Sequence, residues 1–217
     1  TGSSSSTLPR QAKTLLDAGI AELGLSVSAE QADALINYLQ LMLKWNRRVN
    51  LTAITDLEEM VRRHLLDSLS LSPYIIGQRI VDVGSGAGLP GIPLALNHPA
   101  ATFVLLDSNS KKTRFLLQAK IQLHLGNVII ENCRVEHYAS PERIDIVLCR
   151  AFSSLGEIVN KSGHLMASGC TLLAMKGQHP AQELEKLPAG FSVLGVDRLR
   201  IPGLDSERHL VKITKTS

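Results

Sequence analysis

The pattern of apolar and polar positions changes near residue 79. Before that point the apolar period is helical. Ser28 and Gln31 have capping-box spacing, and Ala32, Leu35, Ile36, Leu39, Met42 and Leu43 then recur along one helix face. The period lapses over residues 46–55. Asp56 and Glu59 open a second helix that carries Met60, Val61, Leu65 and Leu69 on its apolar face, and Pro73 and Gly77 close it. Beyond 79, short β-branched or leucine-rich runs (80–83, 102–106, 128–130, 144–148 and 171–175) alternate with helical stretches. The helical stretches are 92–97, 110–125 with Gly126 as C-cap, 155–166 and 181–187. This alternation predicts an α/β fold, a mostly parallel sheet with helices on both faces. Residues 192–200 and 209–214 read as two consecutive strands with no helix between them, an antiparallel pair at the sheet edge.

Composition narrows the class. The 217 residues are 44% hydrophobic and 20% charged, ample for one large core with a helical extension. No apolar run reaches the ~18 residues of a membrane span, and no basic-then-apolar signal opens the chain. The first residues, TGSSSST, lack a methionine, so 1–9 are expected to be a disordered leader or foreign to the native start. Residues 10–78 are then a helical segment packed on the core, and 79–217 a Rossmann-like domain. Cys133, Cys149 and Cys170 are widely spaced and the seven histidines form no H-x-x-x-H pair. A disulfide framework, a zinc site and any structural metal are therefore not expected, and the cysteines read as reduced in the cytoplasm.

Net charge is only +3, but its distribution is uneven. Lys44, Arg47 and Arg48 cluster, as do Arg62, Arg63 and His64, and Lys111, Lys112 and Arg114. Such clusters are commonly solvated helix faces. The sharper alternative is a phosphate footprint for RNA.

The chemistry concentrates in "VDVGSGAGLPGIPLA", residues 81–95. Four glycines, Gly84, Gly86, Gly88 and Gly91, fall at the first βα turn, where open α/β sheets bind ligands. No Lys-Ser/Thr pair follows, so it is no P-loop. G-x-G-x-x-G occurs at Gly86, Gly88 and Gly91, but out of register with the strand end. Pro90 and Pro93 also remove N–H groups that a pyrophosphate would use. The remaining pattern is an acid, Asp82, followed by G-x-G-x-G from Gly84. Asp107, which ends the next strand, is placed to accept hydrogen bonds from ribose hydroxyls. Alone, it could instead cap a helix.

The loop resembles motif I of class I S-adenosylmethionine-dependent methyltransferases. With "KWNRRVNLTAI" (44–54), "RRHLLDSL" (62–69), the L-P-G-I-P tail, "LLDSNSKKTRFL" (105–116), "CRVEHY" (133–138), "CRAFSSL" (149–155), "MKGQ" (175–178) and "LDSERHLVKI" (204–213), the chain resembles the GidB/RsmG family of bacterial 16S rRNA guanine-N7 methyltransferases. The resemblance implies a seven-stranded sheet with an antiparallel last strand, S-adenosyl-L-methionine as cofactor, and methyl transfer to N7 of guanine 527. It implies 16S rRNA, or the small ribosomal subunit or its precursor, as partner to a monomeric cytoplasmic enzyme with no membrane attachment.

Carried over residue by residue, cofactor contacts fall on Gly84, Ser85, Gly86, Gly88, Leu89, Asp107, Val135, Glu136 and Arg150. Arg150 and Lys176 are the catalytic candidates, acting by positioning and electrostatics because guanine N7 bears no proton and needs no general base. The sequence shows no separate RNA-binding module, so the basic clusters themselves would have to supply the phosphate grip, through Arg47, Arg48, Arg63, Lys111, Lys112 and Arg114. His64 and Asp67 either brace their helix or touch RNA or cofactor. The absence of N-P-P-Y after the fourth strand, where "CRAF" stands, agrees with a methylated atom that is not an exocyclic amine. The alternatives are a methyltransferase of the same fold acting on another RNA or a small molecule, an NAD-dependent oxidoreductase, and a non-catalytic RNA-binding protein.

Overall fold

The computed structural model describes residues 4–150 and 154–216. The chain opens with α1 (Ser4–Glu22) and α2 (Ala29–Asn46). A third helical stretch follows, made of α3 (Leu57–Met60), a π-helical turn (Val61–Leu66) and α4 (Asp67–Leu69). Strands and helices then alternate: β1 (Arg79–Val83), α5 (Gly91–Asn97), β2 (Thr102–Leu106), α6 (Ser110–Gln122), β3 (Val128–Glu131), β4 (Ile146–Arg150), α7 (Leu155–Ser162), β5 (Thr171–Lys176) and α8 (Ala181–Glu185). The chain ends with β6 (Phe191–Leu199) and β7 (Arg208–Lys215). One seven-stranded sheet has the order β3-β2-β1-β4-β5-β7-β6, parallel except for the antiparallel β7.

The apolar runs form strands because both faces are covered. On β2, Phe103 and Leu105 enter the core beneath the N-terminal helices and α6, while Val104 and Leu106 enter the core beneath α7. The N-terminal helices share the first of these cores: Leu16, Leu35, Leu39 and Leu65 pack in one cluster with Phe103 and Phe115.

Helix starts follow local chemistry. Ser28 and Gln31 make both halves of their capping box, and Asp56 accepts the Glu59 N–H. At the N-terminus, residues 1–3 lie outside the described residues, but α1 already begins at Ser4, inside the expected leader. Ala12, Leu16 and Ile20, four apart, bury one stripe of it, and this packing supplies what the serine-rich sequence does not. The end of α6 also departs from expectation. Gly126 is not its cap; His124 takes the left-handed position at φ 53°. Leu125 N–H donates to the Lys120 carbonyl and His124 N–H to that of Ile121, a Schellman closure. Burial of Leu125 compensates for a non-glycine residue there.

Candidate active site

β1 ends at Val83 and the chain turns through Gly84, Gly86 and Gly88 at φ +69°, +60° and +86°, values that side chains resist. Asp82 is fully inside, and its Oδ2 accepts from Ser85 Oγ and from Gly91 N–H, both at 3.0 Å. A Cβ on Gly91 would lie 2.3 Å from Leu105 Cδ2 and 2.7 Å from Asp82 Oδ2. Gly91 is thus required by packing. The Tyr38 hydroxyl donates to the Ala87 carbonyl, so α2 braces the loop directly.

Asp107 lies across from this loop. Its Oδ2 accepts the Gly86 N–H at 2.9 Å and its Oδ1 the Asn109 N–H at 2.8 Å. The capping alternative falls away because Asn109 is the N-cap of α6, accepting from Lys111 and Lys112. A carboxylate has about four acceptor sites, so Asp107 keeps lone pairs for a ligand. It borders a cleft of about 400 Å³ at the carboxyl ends of β1 and β2, with Gly84, Val135, Glu136, Arg134 and Lys112 among its walls.

Of the expected cofactor contacts, Gly84, Asp107, Val135 and Glu136 line this cleft, whereas Ser85, Gly86, Gly88, Leu89 and Arg150 are not among its walls. The Ser85 side chain is turned inward onto Asp82, and Leu89 is buried in the core. Adjacent loop residues point in opposite directions, and apolar or Asp82-bonding side chains take the inward ones.

Arg150 is also displaced from the Asp107 cleft. It ends β4 and lines a second cleft of about 440 Å³ over β4 and β5, with Arg63, His64, Asp67, Lys176 and Arg208. Its Nη1 donates to Asp67 Oδ2 at 3.0 Å and to the Arg63 carbonyl at 3.3 Å. Arg208 Nε donates to Asp67 Oδ1 at 2.8 Å. Asp67, nearly fully buried, thereby bridges β4 and β7 from the helical stretch, as the bracing alternative expects. The π-helical turn carries His64 and leads directly into Asp67 (π turns are frequent at functional sites). Lys176 Nζ pairs with Glu183 at 2.8 Å. The two clefts flank the switch between β1 and β4. Ala151 and Phe152 of "CRAF", with Ser153, lie outside the described residues.

The six cations expected to grip RNA divide among three places. Arg47, Arg48, Lys111 and Arg114 line a groove between α2 and α6. Lys112 borders the Asp107 cleft, and Arg63, bonded to Glu59 at 2.7 Å, borders the Arg150 cleft. Sequence reasoning missed the Arg208 partner of Asp67, Arg134 and Lys161 in the Asp107 cleft, and the Asn46 hub. Asn46 Oδ1 accepts from Leu51 and Thr52 N–H and its Nδ2 donates to the Thr52 carbonyl, which fixes the loop after Arg47 and Arg48.

Two buried groups titrate in opposite senses. Burial pushes the Asp82 carboxyl up to about 6, against the hydrogen bonds from Ser85 and Gly91. Burial, aided by the Arg150 charge, pushes His64 down to about 4. Folded Asp82 holds its proton above its unfolded range, so its contribution to stability falls as pH rises from about 4 to about 6. Folded His64 sheds its proton early, so its contribution rises between about 4 and its ordinary value of 6.5. Each is on the order of 3 kcal/mol, and in the wild type they largely cancel. Denaturant unfolding from pH 4 to 7 should therefore slope upward in Asp82→Asn and downward in His64→Gln. Parallel slopes in both variants would contradict these protonation states.

Comparison with known proteins fixes the family. Residues 31–211 match the family described as GidB, rRNA small subunit methyltransferase G. The chain belongs to the GidB family. The ribosomal RNA small subunit methyltransferase G of Methylococcus capsulatus is 48% identical over 202 residues, 93% of this chain and 98% of that one. The protein of the same name from Ectopseudomonas mendocina is 46% identical over 213 residues, 97% and 99% of the two chains. Among solved structures, the glycopeptide N-methyltransferase MtfA, complexed with S-adenosyl-L-methionine, superposes with a TM-score of 0.61 at 9% identity, covering 71% of this chain and 88% of its own. The tRNA methyltransferase TrmK of B. subtilis does so at 0.56 and 14% identity, covering 68% and 64%. At such identities these two likenesses speak for the fold of the GidB chain alone.

Proposed function

We propose that this GidB-family chain transfers a methyl group from S-adenosylmethionine to N7 of one guanine in 16S rRNA. The observation that carries the reading is Asp107, a carboxylate oriented by the Gly86 and Asn109 N–H groups at the mouth of the β1–β2 cleft. There it accepts hydrogen bonds from ribose hydroxyls. Gly84 leaves room for the nucleoside, and Val135 and Glu136 flank its base. The cofactor, when bound, supplies an electrophilic sulfonium methyl.

NAD fits the same loop poorly. The Gly91 N–H at the start of α5 is already donated to Asp82, and Pro93 has none. A pyrophosphate would find few donors there and a buried acid behind them.

The cleft of Arg150 and Lys176 receives the target base. Guanine becomes cationic when N7 is alkylated, so bare positive charge beside it would oppose the product. Here Arg150 and Arg208 share Asp67, and Lys176 is paired with Glu183. These cations are tempered, and their remaining N–H groups serve as donors to guanine O6 or to phosphate. No group is needed to take a proton from N7, so alignment carries the rate. The guanine reaches the cleft from an unpaired loop or by leaving its stack. The substrate is 16S rRNA, free or within the small ribosomal subunit or its precursor, and the enzyme acts as a monomer.

Isothermal titration with S-adenosylhomocysteine and with NAD tests the cofactor assignment. Saturable binding of the homocysteine compound and none of NAD is expected. Saturable binding of NAD alone would overturn it.

A further inference from the structure

A further concavity, about 600 Å³, belongs to neither cleft. It runs between the C-terminal end of α2 and the outer side of α6, and five cations line it: Lys44, Arg47, Arg48, Lys111 and Arg114. Among the described residues, no acidic side chain contributes to its wall. Among the described residues none of these five makes an ion pair, whereas Arg63, Arg150, Lys176 and Arg208 are all paired. All five are exposed. Like charges gathered without a counter-charge repel one another, and a polyanion relieves that repulsion.

Trp45 lies in the groove wall and meets Phe115 beneath it, ring centroids 5.9 Å apart. Gln118 and Gln122 continue the wall along α6. A shallower trough of about 270 Å³ prolongs it past Asn37 and Gln40. Basic side chains, an aromatic ring and amides along one channel are what a nucleic acid strand requires: phosphate contacts, stacking and base-edge hydrogen bonds. The placement also fits. Lys111 faces this groove and Lys112, the next residue, faces the Asp107 cleft. A strand held in the groove thus passes beside the wall of the cofactor cleft.

We infer that the α2–α6 groove is a second RNA site, an anchor for a segment of the rRNA substrate away from the target guanine. The inference rests on the proposed rRNA methyl transfer but concerns affinity for RNA rather than the chemical step. The groove sets how tightly the substrate is held, while the Arg150 cleft aligns the base.

Trp45 is the only tryptophan in the chain, so its emission reports on the groove. Titrating the protein with 16S rRNA should change that emission saturably. Arg48→Glu/Arg114→Glu should weaken RNA binding by at least about tenfold. It should also lower the slope of log affinity against log salt by about two, one for each phosphate contact. Affinity for S-adenosylhomocysteine should stay unchanged. Lys186→Glu/Lys215→Glu, two exposed lysines outside the groove, matches the charge change and should retain most of the affinity. Equal losses in the two double variants would overturn the anchor, as would constant Trp45 emission at full RNA occupancy. Polyglutamate binding as tightly as RNA at the same salt would overturn the choice of RNA over an acidic protein. Failure to bind S-adenosylhomocysteine strikes the cofactor reading instead, so the two are separable.

Discussion

Asp107→Ala should weaken cofactor binding by about ten- to a hundredfold or more. Hydrogen bonds to a charged acceptor are worth roughly 1.5–3 kcal/mol each, and every 1.4 kcal/mol is about a factor of ten. The substitution also leaves the Gly86 and Asn109 N–H groups without their acceptor, which loosens the loop that forms the cleft. Asp107→Asn separates the two effects: it retains one acceptor oxygen but loses the charge, and should fall between wild type and alanine. Titration with S-adenosylhomocysteine measures both. A dissociation constant unchanged in Asp107→Ala removes the ribose role.

Asp67→Ala carries the largest expected cost to stability. One nearly buried carboxylate serves Arg150 and Arg208, and removing it leaves two guanidinium groups facing each other without compensation. Breaking a buried pair from one side typically costs about 3–5 kcal/mol. Denaturant unfolding at neutral pH should show a loss of that order. Methyl transfer should fall with it, while affinity for S-adenosylhomocysteine, bound in the other cleft, should change little in protein that remains folded. A variant as stable and as active as the wild type would mean that the bridge contributes to neither property.

Much of the fold was legible because strand formation follows the apolar runs. The run 102–106 coincides with β2, and the antiparallel edge pair follows from the missing helix between β6 and β7. The glycine loop was legible by register, since its distance from the strand end, rather than the string itself, separates a nucleoside loop from a pyrophosphate loop. What stayed hidden depends on contacts distant in sequence. The resemblance put Arg150 beside the cofactor, yet it is held in the second cleft by Asp67, 83 residues earlier. Ser85 and Leu89 sit in the right loop but point inward, a direction set by Asp82 and by the core. The three basic clusters did not reveal that α2 and α6 would bring Arg48 and Arg114 to one groove while Arg63 joined another. For α1, the spacing of Ala12, Leu16 and Ile20 was a usable signal that the serine-rich start obscured.

The most direct measurement is nucleoside mass spectrometry of 16S rRNA. RNA and small subunits lacking the modification are incubated with the protein and S-adenosylmethionine. The expected product is 7-methylguanosine at one guanine of 16S rRNA, strongly reduced with Asp107→Ala at limiting S-adenosylmethionine. Methylation at another atom or in another RNA, or no transfer by protein that binds the cofactor, would contradict it.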